Sequence, residues 1–177
     1  MSALWRGHAV LPEGTAGERT LQPMTTDQLD AVMAIEVAAY SFPWSRGNFI
    51  DSLAAGHPAW LLKGLGDELL GYFVAMLGVD EVHLLNITVA PAAQRRGHAR
   101  VLIDSLVSVA REHRAGKLWL EVRESNATAR AIYLRLGFVQ VGVRKGYYPA
   151  ALGRREDAVV MSLQIDPVAP EVVDALG

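Results

Sequence analysis

Apolar residues recur at helical spacing in the first third of the chain. Thr25 and Gln28 have the spacing of a capping box, which marks the start of a helix. After them, apolar residues return every three or four positions, at Leu29, Val32, Met33, Val37 and Tyr40. The pattern predicts an amphipathic helix, and a second, shorter helix is predicted over 45–55 because a glycine and a proline follow it closely.

Three apolar segments with strand character come next, separated by short turns. They cover Trp60 to Leu65, Leu69 to Leu77 and Val82 to Val89, and an earlier strand is expected at Thr20 to Pro23. Connections as short as these join antiparallel neighbours.

The second half of the chain alternates helices and strands. Apolar residues at helical spacing predict a helix that begins near Ala99 and stops at Gly116. A strand follows at Lys117 to Arg123, and Ser125 or Asn126 then caps a helix to residue 136. The last two strands are predicted at 138–145 and 157–164. The elements together predict a mixed α/β domain.

Composition narrows the possible functions. The chain has 177 residues, and 51% of them are hydrophobic, so it can bury a core. Seventeen Lys and Arg residues against 19 Asp and Glu residues give a net charge of −2, which argues against a dedicated nucleic-acid-binding protein. The absence of cysteine excludes disulfides and a cysteine nucleophile. The five histidines lack metal-binding spacing, so no metal is expected.

Both ends of the chain lack periodic patterns. We expect residues 1–20 to be a mobile N-terminal extension, 21–165 to form the folded domain and 166–177 to be a C-terminal tail. The sequence has neither an apolar stretch of the roughly 20 residues that a membrane span requires nor the features of a signal peptide. A cytoplasmic protein without membrane contact is therefore expected. We expect a monomer, and an oligomer is the alternative.

A candidate phosphate-binding loop lies between a predicted strand and the helix that begins near Ala99. It contains two arginines and a glycine, Arg95, Arg96 and Gly97. Helix N-termini present free N–H groups and a positive dipole end, and these favour an anion such as a pyrophosphate. An ordinary solvated helix start would explain the same residues.

Two polar residues fall on faces predicted to be buried. Glu121 lies in the middle of a strand between two predicted helices, so we expect both faces of that strand to be covered. A buried carboxylate needs a partner or a raised pKa, and pairing with Arg123 or Arg144 is the structural alternative to a catalytic role. Tyr133 shares the inward face of the next helix, where it could equally be a core tyrosine with a satisfied hydroxyl.

These residues resemble the GCN5-related N-acetyltransferases, the GNAT superfamily, whose acetyl-CoA loop reads Q/R-x-x-G-x-G/A. Residues 94–99 fit this pattern, with alanine in the last position. Within the superfamily, the chain is similar to the bacterial ribosomal-protein-alanine N-acetyltransferases of the RimI type. The segments that carry the similarity are Ser41-Phe42-Pro43-Trp44-Ser45, Asn86-Ile87-Thr88-Val89, Trp119-Leu120-Glu121-Val122-Arg123, Ser125-Asn126, Tyr133 with Leu136-Gly137-Phe138, Tyr147-Tyr148-Pro149 and Glu156-Asp157-Ala158.

The resemblance implies a GNAT fold, with a mixed central sheet of about six or seven strands flanked by about four helices. It implies acetyl-CoA as cosubstrate, with Glu121 as the general base and Tyr133 as the general acid. The cofactor-binding residues that it implies are Ile87, Thr88, Val89, Gln94, Arg95, Arg96, Gly97, His98, Ala99 and Asn126. The acceptor slot that it implies is formed by Tyr40, Phe42, Trp44, Tyr147 and Tyr148. His98 replaces an aliphatic residue of the family loop, and we expect it to face solvent without a catalytic role.

The implied acceptor is the basic N-terminus of a ribosomal protein, the N-terminal alanine of small-subunit protein S-18. Asp80, Glu81, Glu121, Glu156 and Asp157 could supply complementary charge, or could form a solvated rim. Because the chain has no cysteine, a cysteinyl acyl-enzyme is excluded, and direct attack of the amine on the thioester is the simplest mechanism. At pH 7 roughly a tenth of an α-amine is neutral, against under a thousandth of a lysine, so a single carboxylate base suits an N-terminus better. The alternatives are another N-terminus, a lysine, a small-molecule amine, or a non-catalytic acyl-CoA-binding module.

Overall fold

The computed structural model describes residues 19–166, which are built around one seven-stranded sheet. The strands are β1 Thr20–Pro23, β2 Ala59–Lys63, β3 Leu69–Leu77, β4 Glu81–Val89, β5 Lys117–Arg123, β6 Val139–Pro149 and β7 Arg155–Gln164. The helices are α1 Leu29–Ala39, α2 Arg46–Ala54, α3 His98–Glu112 and α4 Ala127–Arg135. The predicted fold class is thereby confirmed.

The strand order in the sheet is β1-β2-β3-β4-β5-β7-β6. Neighbours are antiparallel except for β4 and β5, which are parallel. A parallel pair needs a crossover connection, and α3 supplies it. The parallel pair of β4 and β5 joins β1–β4 on one side of the sheet to β5–β7 on the other, and the connection into α3 starts at the end of β4.

Two hydrophobic cores lie on opposite faces of the sheet. Alternation along β3 shows the division, because Tyr72 and Val74 pack with α1 and α2 whereas Phe73 and Ala75 pack with α3. The α3 core is the larger one and also takes Tyr133 from α4. Both α3 and α4 therefore cover the same face.

The expectation that helices cover both faces of β5 is wrong. Leu118, Leu120 and Val122 join the core beneath α3 and α4. Trp119 and Glu121 point to the other face, where α1 and α2 pack over β2, β3 and β4 instead. The two helices that flank β5 in sequence both return to one side of the sheet. Glu121 consequently lies beside an open part of the sheet.

The helical pattern of α1 is confirmed in its position but not in every residue. Leu29 and Val32 are buried as predicted, but Val37 is 60% exposed and Glu36 is 1% exposed. A polar residue occupies the inward position because its carboxylate finds hydrogen-bond donors there, as described below. The capping box of Thr25 and Gln28 is present, in a single turn of 3-10 helix that precedes α1.

The final hairpin is longer than predicted. Strand β6 continues to Pro149, and β7 already begins at Arg155. Tyr147 and Tyr148 therefore lie within a strand next to β7. The segments 1–18 and 167–177, which hold most of the predicted extension and tail, lie outside the described residues. None of the helices between residues 19 and 166 combines the length and apolar character that crossing a bilayer requires.

Candidate active site

Strands β4 and β5 separate in the middle of the sheet. They pair from Glu81 with Lys117 as far as Leu84 with Leu120. On the side of β3, the register shifts between the partners Leu84 and Asn86, so Leu85 is an extra residue that bends β4. The remainder of β4 and the end of β5 enclose a gap that opens towards the start of α3.

Backbone groups of β4 face this gap. Tyr40 Oη donates a 2.8 Å hydrogen bond to the carbonyl of Ile87, so that carbonyl points away from β3. In an antiparallel strand, a residue directs its N–H and its C=O to the same side. The N–H of Ile87, and by alternation that of Val89, therefore point into the gap.

Two tyrosines occupy the two sides of the gap. Besides contacting Ile87, Tyr40 Oη lies 3.0 Å from Thr88 Oγ1. Tyr148 Oη donates a 3.0 Å hydrogen bond to the carbonyl of Glu121 on the opposite strand. Burial raises the pKa of both phenols. Both hydroxyls therefore stay protonated. They donate hydrogen bonds to carbonyls that have no partner on the neighbouring strand where β4 and β5 separate.

The loop before α3 is shaped to present backbone N–H groups. Gly97 caps the helix at φ +80°, and a Cβ added there would meet nothing within 4 Å. Arg95 also has a positive φ, of 64°. The first N–H groups of α3 lack helical acceptors, and this helix end attracts anions. The predicted loop is therefore present, beside the open end of the gap.

Two residues of the loop make side-chain contacts within the protein. The side-chain amide of Gln94 donates a 3.3 Å hydrogen bond to the carbonyl of Val89, which ties the loop to the end of β4. His98 does not face solvent, because it is 8% exposed and its Nδ1 lies 3.3 Å from Nη1 of Arg19. Burial lowers the pKa of His98, and the cations of Arg19 and Arg96 lower it further.

Glu121 lies at the point where β5 leaves β4. Its side chain is 5% exposed, and Oε2 is 2.5 Å from Nε2 of His83. Oε1 is 3.2 Å from Nε of Arg144, yet it is buried without a hydrogen-bond partner. Of the two arginines considered as partners, Arg144 is close, whereas Arg123 pairs with Glu156 at 3.1 Å. Oε2 is therefore hydrogen-bonded, whereas Oε1 has an ion-pair contact and no hydrogen bond.

Tyr133 lies beneath the gap on α4. Its ring tilts against Phe138 at a centroid distance of 5.5 Å, and the residue is 8% exposed. Burial raises the pKa of the Tyr133 phenol above its ordinary 10.0, and the phenols of Tyr40 and Tyr148 raise it further. Tyr40, which follows α1, Tyr133 of α4 and Tyr148 of β6 therefore lie near one another.

A polar network supports the segment that follows α1. Glu36 accepts hydrogen bonds from Tyr72 Oη at 2.5 Å and from the Trp44 N–H at 2.8 Å. Asn86 Nδ2 lies 3.3 Å from both carboxylate oxygens and Asn86 Oδ1 accepts from Thr88. The carboxylate thus fixes residues 40–44 against the gap edge of β4.

Aromatic and basic side chains form the rim on the open face. The guanidinium of Arg123 lies 5.2 Å from the Phe42 ring and 4.5 Å from the Tyr148 ring. Arg144 lies 5.5 Å from the Tyr147 ring. Of the predicted acceptor slot, Tyr40, Phe42, Tyr147 and Tyr148 are therefore connected to this rim with the two arginines. The Trp44 ring instead packs on Phe49 at a centroid distance of 5.1 Å, against the core beneath α1 and α2.

Two of the acidic residues considered for binding a basic partner have other roles. Glu156 pairs with Arg123 and accepts a 2.7 Å hydrogen bond from the Ser125 N–H. Asp157 accepts from Lys145 at 2.7 Å and from the Gly146 N–H at 2.8 Å. These bonds lower the pKa of both carboxyls. Both carboxylates hold the β6–β7 hairpin and the turn before α4.

Asn126 caps α4, as its position in the sequence predicts. Its Oδ1 accepts a 3.1 Å hydrogen bond from the Ala129 N–H. Sequence analysis missed Glu36 and His83. Glu36 follows Val32 by four residues, so an acidic residue on the inward face of α1 was a usable signal. His83 gave no signal, because its partner lies 38 residues away on a neighbouring strand.

Comparison with known proteins agrees with this arrangement. The family model described as Acetyltransferase (GNAT) family matches residues 29–138. The chain belongs to this family, and the GNAT fold predicted from the loop and motifs is confirmed.

Individual relatives are similar over nearly their whole length. The [Ribosomal protein bS18]-alanine N-acetyltransferase of Salmonella typhimurium is 40% identical over 147 residues, which cover 82% of this chain and 97% of the relative. The protein of the same name from Escherichia coli is 37% identical over 146 residues, with the same coverage of both chains. The crystal structure of the ribosomal-protein-S-18-alanine N-acetyltransferase from Escherichia coli superposes with a TM-score of 0.77 at 35% identity. It covers 87% of this chain and 98% of that one.

Proposed function

We propose that this protein transfers the acetyl group of acetyl-CoA to the N-terminal alanine of ribosomal protein S-18. The observation that carries the proposal is the 37–40% identity to relatives named for that reaction, which extends over 97% of their length. The site described above supplies the groups that such a transfer needs. A cytoplasmic location follows from the substrate, because ribosomal proteins are made there.

The geometry of the gap suits acetyl-CoA. The free N–H groups of residues 95–99 and the two loop arginines would hold its pyrophosphate, because a helix N-terminus favours an anion. The gap-facing N–H groups of Ile87 and Val89 would hold the pantetheine arm and the acetyl carbonyl. Gln94 would support the loop, and the Nδ2 of Asn126 would contact the cofactor while its Oδ1 caps α4. When bound, acetyl-CoA supplies the activated acyl group.

Glu121 would accept the proton that the attacking amine loses. A free α-amine has an ordinary pKa of about 7.7–8.0, so most of it must lose a proton at pH 7. Oε1, which has an ion-pair contact with Arg144 but no hydrogen bond, would accept that proton, directly or through a water. A positioned base of this kind typically contributes about 10²–10⁴-fold to the rate.

Tyr133 would return a proton to the departing thiolate. Its raised pKa keeps the phenol protonated over the physiological range, as a proton donor requires. An exposed thiol has a pKa of about 8.5, so donation from a buried phenol is uphill unless the thiolate is desolvated as well. The gap would desolvate both groups. The Ile87 N–H would stabilise the oxyanion.

The rim would receive the first residues of the acceptor. Tyr40, Phe42, Tyr147 and Tyr148 would line the slot, and Trp44 would support it from its place on Phe49. A slot between aromatic rings suits a small first side chain such as alanine. Asp80 and Glu81 would supply negative charge for an arginine-rich acceptor. Among the ion pairs of the described residues, Glu156 and Asp157 already have basic partners in the β6–β7 hairpin or next to it, whereas Asp80 and Glu81 have none.

Two peptides test the proposal. One begins with alanine followed by arginines, and the other has the same sequence with a blocked α-amine and a free internal lysine. We expect acetyl transfer from acetyl-CoA to the first peptide alone, detected as one added acetyl group by mass spectrometry. Transfer mainly to the second peptide, or only to small amines such as spermidine, would overturn the proposed acceptor. Acetyl-CoA binding without any transfer would overturn the enzyme itself.

A further inference from the structure

His83 forms a hydrogen bond with the carboxylate of Glu121, whereas Arg144 contacts the same carboxylate as an ion pair. The histidine lies on β4 directly opposite Trp119, and its ring stacks on that indole at 3.7 Å with an interplanar angle of 7°. Stacking fixes the plane of the imidazole. Its Nε2 then lies 2.5 Å from Oε2 of Glu121. The histidine side chain is 13% exposed, so water has little access to this bond.

The two oxygens of Glu121 are consequently not equivalent. Oε2 accepts from the imidazole, which requires the proton of a neutral His83 to be on Nε2. Oε1 lies near Arg144 without a hydrogen bond. The arginine places a positive charge near the carboxylate, whereas the hydrogen bond from the histidine fixes the orientation of the carboxylate group. A freely rotating carboxylate would present either oxygen, whereas this one presents Oε1.

We propose that His83 is a positioning residue for the acetyl transfer reaction. It donates its Nε2–H to Oε2 of Glu121, holds the carboxylate plane and leaves Oε1 free to accept the proton of the amine. No proton is transferred to or from His83 during the step. The inference rests on the proposed function, because it assigns proton acceptance to Glu121.

Two substitutions separate the hydrogen bond from the ring packing. H83F keeps an aromatic ring on Trp119 and removes the donor. H83Q removes the ring but carries an amide N–H₂ at a similar distance from the backbone. We expect H83F to lower kcat by about 10²-fold, as a small misplacement of a catalytic group does. We expect H83Q to retain kcat within about 3-fold of wild type, and KM for peptide and acetyl-CoA to change little in both.

The matched control is H113Q, the same substitution at an exposed histidine at the C-terminus of α3, away from the gap. We expect it to leave kcat unchanged. Thermal unfolding and CoA binding of every variant identify loss of fold. In an E121Q background, H83F should change kcat by less than about 2-fold, because residues that act through one another are not additive.

The inference and the proposed function fail in different ways. If H83F retains wild-type kcat while H83Q loses it, the ring packing matters and the inference is overturned. If folded H83F and H83Q lose kcat equally, the imidazole itself exchanges the proton and the positioning role is overturned. If wild type acetylates the alanine peptide and E121Q does not, but H83F is normal, the inference alone fails. If wild type does not transfer acetyl, or E121Q is fully active, the assignment beneath it fails.

Discussion

Two buried carboxylates on the same face of the sheet have opposite surroundings. Glu36, on α1, is 1% exposed, and its oxygens meet donors from Tyr72, Trp44 and Asn86. Glu121, on β5, is equally well shielded but keeps one oxygen without a hydrogen bond. A carboxylate with both oxygens held stabilises structure. A carboxylate with only one hydrogen-bonded oxygen, at the edge of a gap, is the arrangement that we propose for a catalytic base.

The distinction makes burial alone a poor indicator of catalysis. Both residues interrupt an apolar pattern and both look anomalous in the sequence. The bonds to neutral donors explain Glu36 completely, because each one satisfies part of the buried charge. The incomplete set around Glu121 leaves an acceptor that the fold does not use. The following predictions separate the two cases.

The largest expected effect is on the chemical step. E121Q replaces the free oxygen by an amide that cannot accept the proton of the amine. We expect kcat for the alanine peptide to fall about 10²–10⁴-fold, with thermal stability close to wild type. Steady-state kinetics together with an unfolding curve check both parts. A variant that stays within a few fold of wild type would place proton removal elsewhere.

A smaller loss is expected when the proton donor beneath the gap is removed. Y133F keeps the ring packed on Phe138 and deletes only the hydroxyl. We expect kcat to fall by about 10²-fold, with CoA binding retained. Because burial raises the pKa of Tyr133, the wild-type rate should not decline as pH rises through 10.0. A rate that falls below that pH, in a protein that stays folded, would contradict a protonated donor.

Glu36 is expected to respond to the same chemical change in stability. E36Q turns an acceptor-only group into one that also donates, among partners that are all donors in this arrangement. A buried donor then loses its acceptor, which costs about 1–3 kcal/mol. We expect unfolding in urea to shift accordingly, with KM for the peptide raised because residues 40–44 loosen. Unchanged stability with a large loss of kcat would mean that Glu36 acts in the reaction.

The smallest effect is expected at the surface of the same helix. Asp30 on α1 pairs with Arg46 at 2.6 Å, but its side chain is 92% exposed. Exposed pairs contribute about 0–1 kcal/mol, so D30N should change neither stability nor kcat measurably. It is the matched control for E36Q, since both remove one carboxylate charge from α1. A D30N effect as large as that of E36Q would show that the charge of α1 matters rather than the buried bonds.

Periodicity was enough to predict most of the elements of this fold. The helices α1 to α4 and the seven strands lie within a few residues of their predicted positions, because each carries a strong apolar pattern of its own. The faces were harder. Val37 was predicted to be buried but is exposed, and the neighbouring Glu36 is buried instead, because tertiary hydrogen bonds override a hydrophobic pattern. The face of the sheet on which a helix packs also depends on the geometry of its crossover connection, and the local spacing of apolar residues does not predict that geometry.

The candidate site divides in the same manner. Local motifs predicted the loop at Gly97 and the cap at Asn126, since turn and cap chemistry act over a few residues. The sequence offered two arginines, Arg123 and Arg144, as ion-pair partners of Glu121. The structure shows that Arg144 is the one in contact. His83 comes from a different strand, so only the parallel pairing of β4 and β5 brings it to Glu121.

The measurement that tests the central contrast most directly is the pH dependence of single-turnover acetyl transfer by wild type and E121Q, at saturating alanine peptide and acetyl-CoA. The α-amine has an ordinary pKa of about 7.7–8.0. If Oε1 of Glu121 accepts its proton, the wild-type rate should level off near neutral pH. The E121Q rate should start far lower and keep rising as solution pH takes over the deprotonation. Two curves of the same shape and height would contradict the account.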